Sequence, residues 1–337
     1  MKDFWKKQVE KHKKLVFLAP MDWYWDSAYR QAMRKIAPDI YLISEFYSAD
    51  WLVHSKFLAD SVLPHETSED PLVVQIFGKD PEMFAKAAEI ISNPKYNIAG
   101  IDVNMWCPAK KVVRSGHGSS LFINQDTAFR IIESLNKATH LPISVKTRLS
   151  FDGTQSLVDF AKGLENAGCS LLTVHGRTAK QAYTGNADFT NIYQLKNHIN
   201  IPLICNGDIL NYEDWMKKVQ NLDGFMIWRW SFWNPWAFLP WNVEPTLKEI
   251  LDMMEFHALK LVETKLERKW SLEIRKHLVQ YLSSFPWVKA YRKRLVTTES
   301  LENSLWIIRE ISWEFKEFLD KKPGMWEITK ESIGLWV

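Results

Sequence analysis

The sequence predicts a (β/α)8 TIM barrel followed by a small all-helical domain. Eight short apolar runs rich in β-branched residues alternate with longer helical patterns over about 230 residues, which is the order of a barrel. Strand signals stop near Glu244, and apolar residues then recur at helical spacing. A doubly wound open sheet is the alternative, but no Gly-x-Gly-x-x-Gly motif follows the first strand. We therefore predict a barrel over residues 1–244 and a helical domain over residues 245–337.

The individual elements follow from these patterns. The predicted strands are Leu15–Ala19, Ile40–Ile43, Leu72–Ile76, Ile101–Val103, Ile143–Val145, Leu171–Val174, Leu203–Ile204 and Gly224–Ile227. Between them, the predicted helices include Pro81–Ser92, Thr127–Thr139, Ser156–Ala167 and Tyr212–Val219. After the barrel, the helical segments are Leu247–Leu266, Leu272–Leu282 and Leu301–Leu319.

The composition excludes several classes of protein. The chain has 337 residues and only three cysteines without paired spacing, which excludes a disulfide framework and a cysteine zinc site and predicts no metal. Residues 224–243 carry a single charge, that of Arg229, but the segment contains Pro235 and Pro240 and is better explained by a buried strand and loop than by a membrane span. We expect a soluble, cytoplasmic protein without membrane contact.

Each predicted strand ends in a residue that can bind a ligand or take part in chemistry. In barrels of this kind, the active site is built at the carboxyl ends of the strands. The residues at these ends are Pro20-Met21, Glu45, Gln75, Asn104, Lys146, His175, Asn206-Gly207-Asp208 and Arg229.

Cys107 is the cysteine whose surroundings favour chemistry. It lies on a loop between Asn104 and a basic, glycine-containing segment, where a thiol can act as an acid or a nucleophile. The alternative is a small buried hydrophobic residue, which Cys169 and Cys205 fit because each flanks or ends an apolar strand. Lys146 is predicted to stabilise negative charge on a neighbouring ligand.

The helical region is strongly basic. Residues 256–295 contain ten lysines and arginines against three glutamates, a local charge of +7 on a chain whose net charge is +3. A solvated helical face explains such a run equally well, but a basic domain beside an active site also suits a polyanion such as RNA.

At these residues the sequence closely resembles the tRNA-dihydrouridine synthases. The resemblance runs from about Lys14 to the end of the barrel and continues more weakly into Glu273–Leu278. The shared stretches are Leu18–Asp22, Gln75–Gly78, Asp102–Pro108, Lys111–Val113, Lys146–Arg148, His175–Thr178, Asn206–Ile209 and Asn234–Trp236.

The resemblance implies an FMN cofactor across the barrel mouth, with NADPH as the electron donor. The residues implied to contact the flavin ring region are Pro20, Met21, Asp22 and Gln75, with Lys146 and His175 at its reactive edge. Those implied to hold the ribityl phosphate are Asn206, Gly207, Asp208, Trp228 and Arg229, with position 230.

The resemblance also implies the reaction, which is reduction of the C5–C6 double bond of a uridine in tRNA. Hydride passes from the flavin to C6, and Cys107 donates a proton to C5 as the general acid. The residues implied to orient the uracil are Asn104, Arg148 and Arg177. Those implied to hold the tRNA backbone, together with the helical domain, are Lys110, Lys111 and Arg114.

One departure from the family recurs. The chain has 17 tryptophans but only 13 glycines, where about 24 glycines are usual for this length. Family glycines are replaced by Trp23, Trp51, Trp106, Trp228, Trp230 and Trp233, and less clearly by Trp25, Trp215, Trp241 and Trp287, whereas Trp236 matches a family tryptophan. Our hypothesis is that the source organism reads a stop codon as glycine and that the written sequence translates it as tryptophan. The alternative is drift in a decayed enzyme.

Two further functions remain open at this stage. One is an FMN-barrel reductase of a small molecule, which would leave the basic helical domain without a role. The other is a flavin-less, tRNA-binding remnant, which requires the tryptophans to be real. A chain made as written is expected to bind flavin poorly, because indole rings would fill the space of the ligand.

Overall fold

In the computed structural model of the chain, the described residues are 3–22, 24–232, 234–241, 243–264, 267–283, 285 and 288–322. The chain divides into two compact units. The first contains residues Met1–Trp25 and Asp39–Trp228, and the second contains Asp26–Pro38 and Arg229–Val337.

The first unit is a closed barrel of eight parallel strands. The strands are β1 Leu15–Leu18, β2 Tyr41–Ser48, β3 Leu72–Phe77, β4 Gly100–Asn104, β5 Ile143–Arg148, β6 Leu171–His175, β7 Leu203–Asn206 and β8 Gly224–Ile227. All eight predicted strands are confirmed, and the pairing of β1 with β8 excludes the open sheet. A Cβ atom at Gly224 would collide with the carbonyl oxygen of Leu15, so this pairing requires glycine there.

Helices surround or precede the strands of this unit. They are α1 Phe4–His12, α3 Ala49–His54, α4 Lys56–Val62, α5 Pro81–Ile91, α6 Lys110–Arg114, α7 Gln125–Ala138, α8 Leu157–Ala167, α9 Thr190–Leu195 and α10 Tyr212–Val219. Of these, α5, α7, α8 and α10 confirm the four predicted helices. The sequence signals are clear there, since Asp80, Ser156 and Asn211 cap three of them with side-chain acceptors.

The interior of the barrel changes from apolar to polar along its axis. The early residues of the strands form an apolar cluster that includes Phe17 and Tyr41, and the buried Trp5 of α1 packs on both rings. Later residues of the same strands are buried and polar, from Gln75 on β3 to Asn206 on β7. The barrel therefore has a hydrophobic base and a polar mouth.

The second unit is helical and has its own core. Its helices are α2 Ser27–Ile36, α11 Leu247–Thr264, α12 Glu267–Tyr281, α13 Lys289–Thr297 and α14 Leu301–Glu314. Ala28 and Ala32 of α2 pack in one buried cluster with Trp236, Ile250 and many other apolar residues of this unit. The helix that follows β1 in the chain therefore groups with the C-terminal helices.

This division differs from the boundary that the composition suggests at residue 244. The second unit begins at Arg229 and also takes in residues 26–38, because the apolar faces of these segments are buried in the helical core. Residues 224–232 and 234–241 form β8, short 3-10 turns and loop, as expected for a strand and loop. Among the residues described, we find no helix with the length and apolar character needed to cross a bilayer.

Candidate active site at the barrel mouth

A hydrogen-bonded chain of buried polar side chains crosses three neighbouring strands at the mouth. Asp102 on β4 accepts from Ser144 Oγ on β5 at 2.6 Å and from Gln75 Nε2 on β3 at 2.7 Å. Asn104 Nδ2 donates in turn to Gln75 Oε1 at 3.0 Å. These residues come together because the register places Gln75 beside Asp102 and Asp102 beside Ser144.

Burial perturbs the two ionisable groups of this layer. It raises the pKa of Asp102 to about 6, although the hydrogen bonds from Ser144 and Gln75 act in the opposite direction. Burial and the neighbouring Arg148 lower the pKa of Lys146 well below its ordinary value. The Lys146 Nζ atom has no hydrogen-bond partner among the described residues. Such a group suits a ligand that accepts a hydrogen bond.

Cys107 lies on the loop after β4 and is half-buried. Burial raises the pKa of its thiol, while a backbone hydrogen bond and the charges of Arg148 and Lys146 lower it. The net direction is a raised pKa, which favours the protonated thiol. Cys169 and Cys205 are buried, in agreement with their predicted packing role.

The two arginines predicted to orient a uracil are bound instead to backbone within the barrel. Arg148 donates to the carbonyl oxygens of Trp106, Thr178 and Ala182 at 2.8–3.0 Å. Its Nη2 atom is buried without a hydrogen-bond partner in the described part of the chain. The structure therefore gives this guanidinium a role in holding loops, with one donor left over.

Arg177 is held in the same way on the loop after β6. It donates to the carbonyl oxygens of Thr184 and Gly185 and pairs with Asp208 at 2.6 Å. Both Arg177 and Arg148 are at most 2% exposed. Substrate contact by either side chain stays a prediction.

The Asn206-Gly207-Asp208 segment follows β7 and is tightly packed. Gly207 has a φ of +118°, and a Cβ atom there would lie 2.8 Å from the Cβ of Ala187 and 3.1 Å from the His175 ring, so the position requires glycine. Asp208 is used for structure, since it accepts from Arg177 and from the Ala187 amide. The side chain of Asn206 donates to the Met226 carbonyl. The backbone of the turn at Gly207 lies beside the His175 ring.

The remaining predicted residues fall in three places. Pro20 is buried after β1, and Met21 and Asp22 are half-buried next to it. Arg229 begins a short 3-10 turn in the second unit. The exposed residues on α6 are Lys110, Lys111 and Arg114.

The indole ring of Trp106 fills the centre of the mouth. Lys146 Nζ lies 3.8 Å from the ring centroid, and the His175 ring packs edge-on at 5.9 Å. The Trp228 ring packs against Trp106 at 5.4 Å, and Tyr183 contacts both indoles. The Trp106 Nε1 atom is buried and has no hydrogen-bond partner among the described residues. Burying the indole N–H without a hydrogen bond is unfavourable.

These contacts bear on whether the barrel mouth can bind a flavin when tryptophan is present at positions 106 and 228. The unpaired donor of Lys146 and the buried polar set behind it suit the acceptor atoms of a flavin ring. The space in front of Lys146 and His175, however, holds the indoles of Trp106 and Trp228. The polar groups suit the cofactor, but the Trp106 indole lies against them.

Sequence reasoning gave no role to Asp102 or to Tyr183. A signal existed for Asp102, because a carboxylate within a strand of a parallel barrel is buried and must be bound by neighbouring groups. No comparable signal exists for Tyr183, because it reaches the mouth from a loop whose path depends on Arg148 and Arg177.

Known proteins with similar sequences identify the family of this chain. The model of the family described as Dihydrouridine synthase (Dus) matches residues 17–316. The probable tRNA-dihydrouridine synthase 1 of Synechocystis sp. is 33% identical over 301 residues, which cover 85% of this chain and 83% of that protein. The tRNA-dihydrouridine synthase B of Pasteurella multocida is 33% identical over 282 residues, covering 80% and 84%. The chain belongs to the dihydrouridine synthase family.

Proposed function

We propose that this chain reduces the C5–C6 double bond of uridine in tRNA, the substrate named for its relatives. The observation that carries the proposal is the position of Cys107, which lies on the loop after β4 at the barrel mouth and is held there by Asn104. Reduction adds a hydride to C6 and a proton to C5. Cys107 supplies the proton, and the resulting thiolate regains one from water.

We further propose FMN as the redox cofactor and NADPH as the electron donor. The support is the set of buried polar groups around Lys146 and the family resemblance. Because the Trp106 indole lies over Lys146 and packs on Trp228, this proposal applies to the chain with glycine at both positions. The protein's part is to present Lys146 and His175 to the ligand and Cys107 to the uracil.

Binding of tRNA is proposed for two basic regions. The exposed Lys110, Lys111 and Arg114 on α6 follow Cys107 directly in the chain, so phosphate contacts there would bring RNA to the thiol. The helical unit carries the second basic region, which is the local charge of +7 over residues 256–295. A uridine inside folded tRNA must leave its stack to reach this mouth, and the cytoplasm is where such RNA is found.

The packing of Trp106 favours one rival, a flavin-less protein that binds tRNA without reducing it. If tryptophan is present in the natural protein, its indole takes the place of the cofactor. The two functions differ in the visible absorbance of the purified protein, since only a flavoprotein is yellow.

The test compares a chain carrying glycine at 106 and 228 with the same chain carrying Cys107→Ala. Each is incubated with FMN, NADPH and unmodified tRNA, and dihydrouridine is measured by mass spectrometry of the digested RNA. We expect product with the first chain and a loss of about 100-fold or more with Cys107→Ala, because the acid is absent. A flavin-loaded, folded chain that oxidises NADPH without forming dihydrouridine would instead be a reductase of small molecules.

A further inference from the structure

The Cys107 loop, defined here as residues 104–107, is held by the Asn104 side chain. Asn104 Oδ1 accepts from the backbone N–H groups of Trp106 and Cys107, each at 3.1 Å. Its Nδ2 donates to Gln75 Oε1 at 3.0 Å. Asn104 is 3% exposed, so both ends of its amide are engaged inside the protein.

Asp102 determines which atoms donate and which accept in these hydrogen bonds. An ionised carboxylate only accepts hydrogen bonds, so Gln75 must turn its Nε2 toward Asp102 and its Oε1 toward Asn104. Asn104 must then present Nδ2 to Gln75 and Oδ1 to the loop. The buried carboxylate of Asp102, two residues before Asn104 on β4, thus determines which atom of the Asn104 amide faces the Cys107 backbone.

Arg148 holds the same loop from the other side. Its Nε donates to the carbonyl of Trp106 at 3.0 Å, and its Nη1 donates to the carbonyls of Thr178 and Ala182 on the loop after β6. These contacts use donors on two nitrogen atoms of the planar guanidinium, an arrangement that the single nitrogen of a lysine does not reproduce. The carbonyl of Cys107 is bound as well, by the Ser119 amide at 3.1 Å.

We infer that Asn104 and Arg148 are positioning residues, which fix the Cys107 loop before any ligand binds. The inference rests on the proposed function only for the role of Cys107 as an acid. The loop geometry stands without it. A general acid that is already held in its reactive orientation is more efficient, because no conformational entropy is lost in orienting it during the reaction.

The experiment measures alkylation of Cys107 by iodoacetamide between pH 6.5 and 10 on the full chain. The chain has two other cysteines, which are 3% and 0% exposed, so Cys107 dominates the reaction. In Asn104→Ala the two amides lose their acceptor and the loop loosens. Because burial is what raises the thiol pKa, we expect faster alkylation, by about 3–10-fold at pH 8, and a pH profile shifted toward lower pH.

Two further variants complete the test. Arg148→Lys keeps the positive charge but removes the guanidinium group that binds the three carbonyls. We expect faster alkylation of Cys107 in this variant as well. Asn211→Ala is the matched control, since Asn211 also accepts from a backbone amide, that of Asp214 at the start of α10, and we expect the parent profile. Urea unfolding of each variant identifies any general loss of stability.

The inference is overturned if folded Asn104→Ala and Arg148→Lys both keep the parent rate and pH profile, or if Asn211→Ala changes them equally. If Asn104→Ala does not fold, Arg148→Lys decides alone. The assay uses no tRNA or cofactor. A loosened thiol would therefore support the positioning role even if the chain with glycine at 106 and 228 forms no dihydrouridine, and that second result alone would count against the proposed function.

Discussion

The side chain at position 106 decides what the barrel mouth can contain. Its indole touches Lys146, His175 and Trp228, which are the groups that the family resemblance assigns to a flavin. The indole N–H and the Lys146 Nζ atom both lack hydrogen-bond partners among the described residues. The tryptophan therefore fills the site without providing a hydrogen-bond acceptor for Lys146. Glycine at 106 and 228 would leave the same polar groups facing an open mouth.

This gives a prediction at the residue scale. The Trp106→Gly/Trp228→Gly variant is expected to purify with flavin absorbance in the visible range, or to acquire it on incubation with FMN, whereas the written chain stays colourless. Trp215→Gly is the control, because its ring stacks on Phe225 at 4.4 Å instead of on Lys146. A double variant that is folded by circular dichroism yet takes up no FMN would contradict the flavin assignment.

At the scale of elements, helix α1 closes the base of the barrel. The sequence shows only a basic N-terminal segment there, but Trp5 is 1% exposed and packs on Phe17 and Tyr41 inside the strands. The hydroxyl of Tyr41 also donates to Gln8 of the same helix at 2.7 Å. The helix thus seals the end of the barrel opposite the mouth.

We predict that Trp5→Ala lowers the free energy of unfolding by about 3–5 kcal/mol, because it leaves a cavity in the apolar base. Urea denaturation of the full chain measures this value. Trp51→Ala is the comparison, since Trp51 is 68% exposed on α3 and its loss should change stability by less than about 0.5 kcal/mol. Equal effects of the two substitutions would show that α1 contributes little to the barrel.

At the scale of the whole molecule, the tryptophans share a feature that packing alone does not explain. Several occupy positions that suit glycine better. Trp241 has a φ of +68°, in the left-handed region that bulky residues rarely adopt, and is 80% exposed. Trp106 fills the mouth, as described above. Trp25 is different, because it is buried and its indole N–H donates to the Ala19 carbonyl. Trp23, Trp233 and Trp287 lie outside the described residues.

The recoding hypothesis makes a prediction about the gene and the natural protein. The codons for positions 106 and 228 should differ from the codon for Trp236, and the natural peptide containing residue 106 should have the mass of a glycine peptide. Gene sequencing and peptide mass spectrometry measure these directly. Identical codons at 106, 228 and 236, or an indole in the natural peptide, would contradict recoding and favour the remnant.

The sequence by itself determined the barrel, the order of its strands and the family. These features depend on local periodicity and on motifs at strand ends, which a linear pattern contains. Tertiary structure decided the roles of Asn104, Arg148 and Asp102, since their partners lie on other strands and loops. It also placed residues 26–38 in the helical unit and the Trp106 indole over Lys146. These contacts join residues that are far apart in the chain. Composition and spacing do not specify which distant residues come into contact.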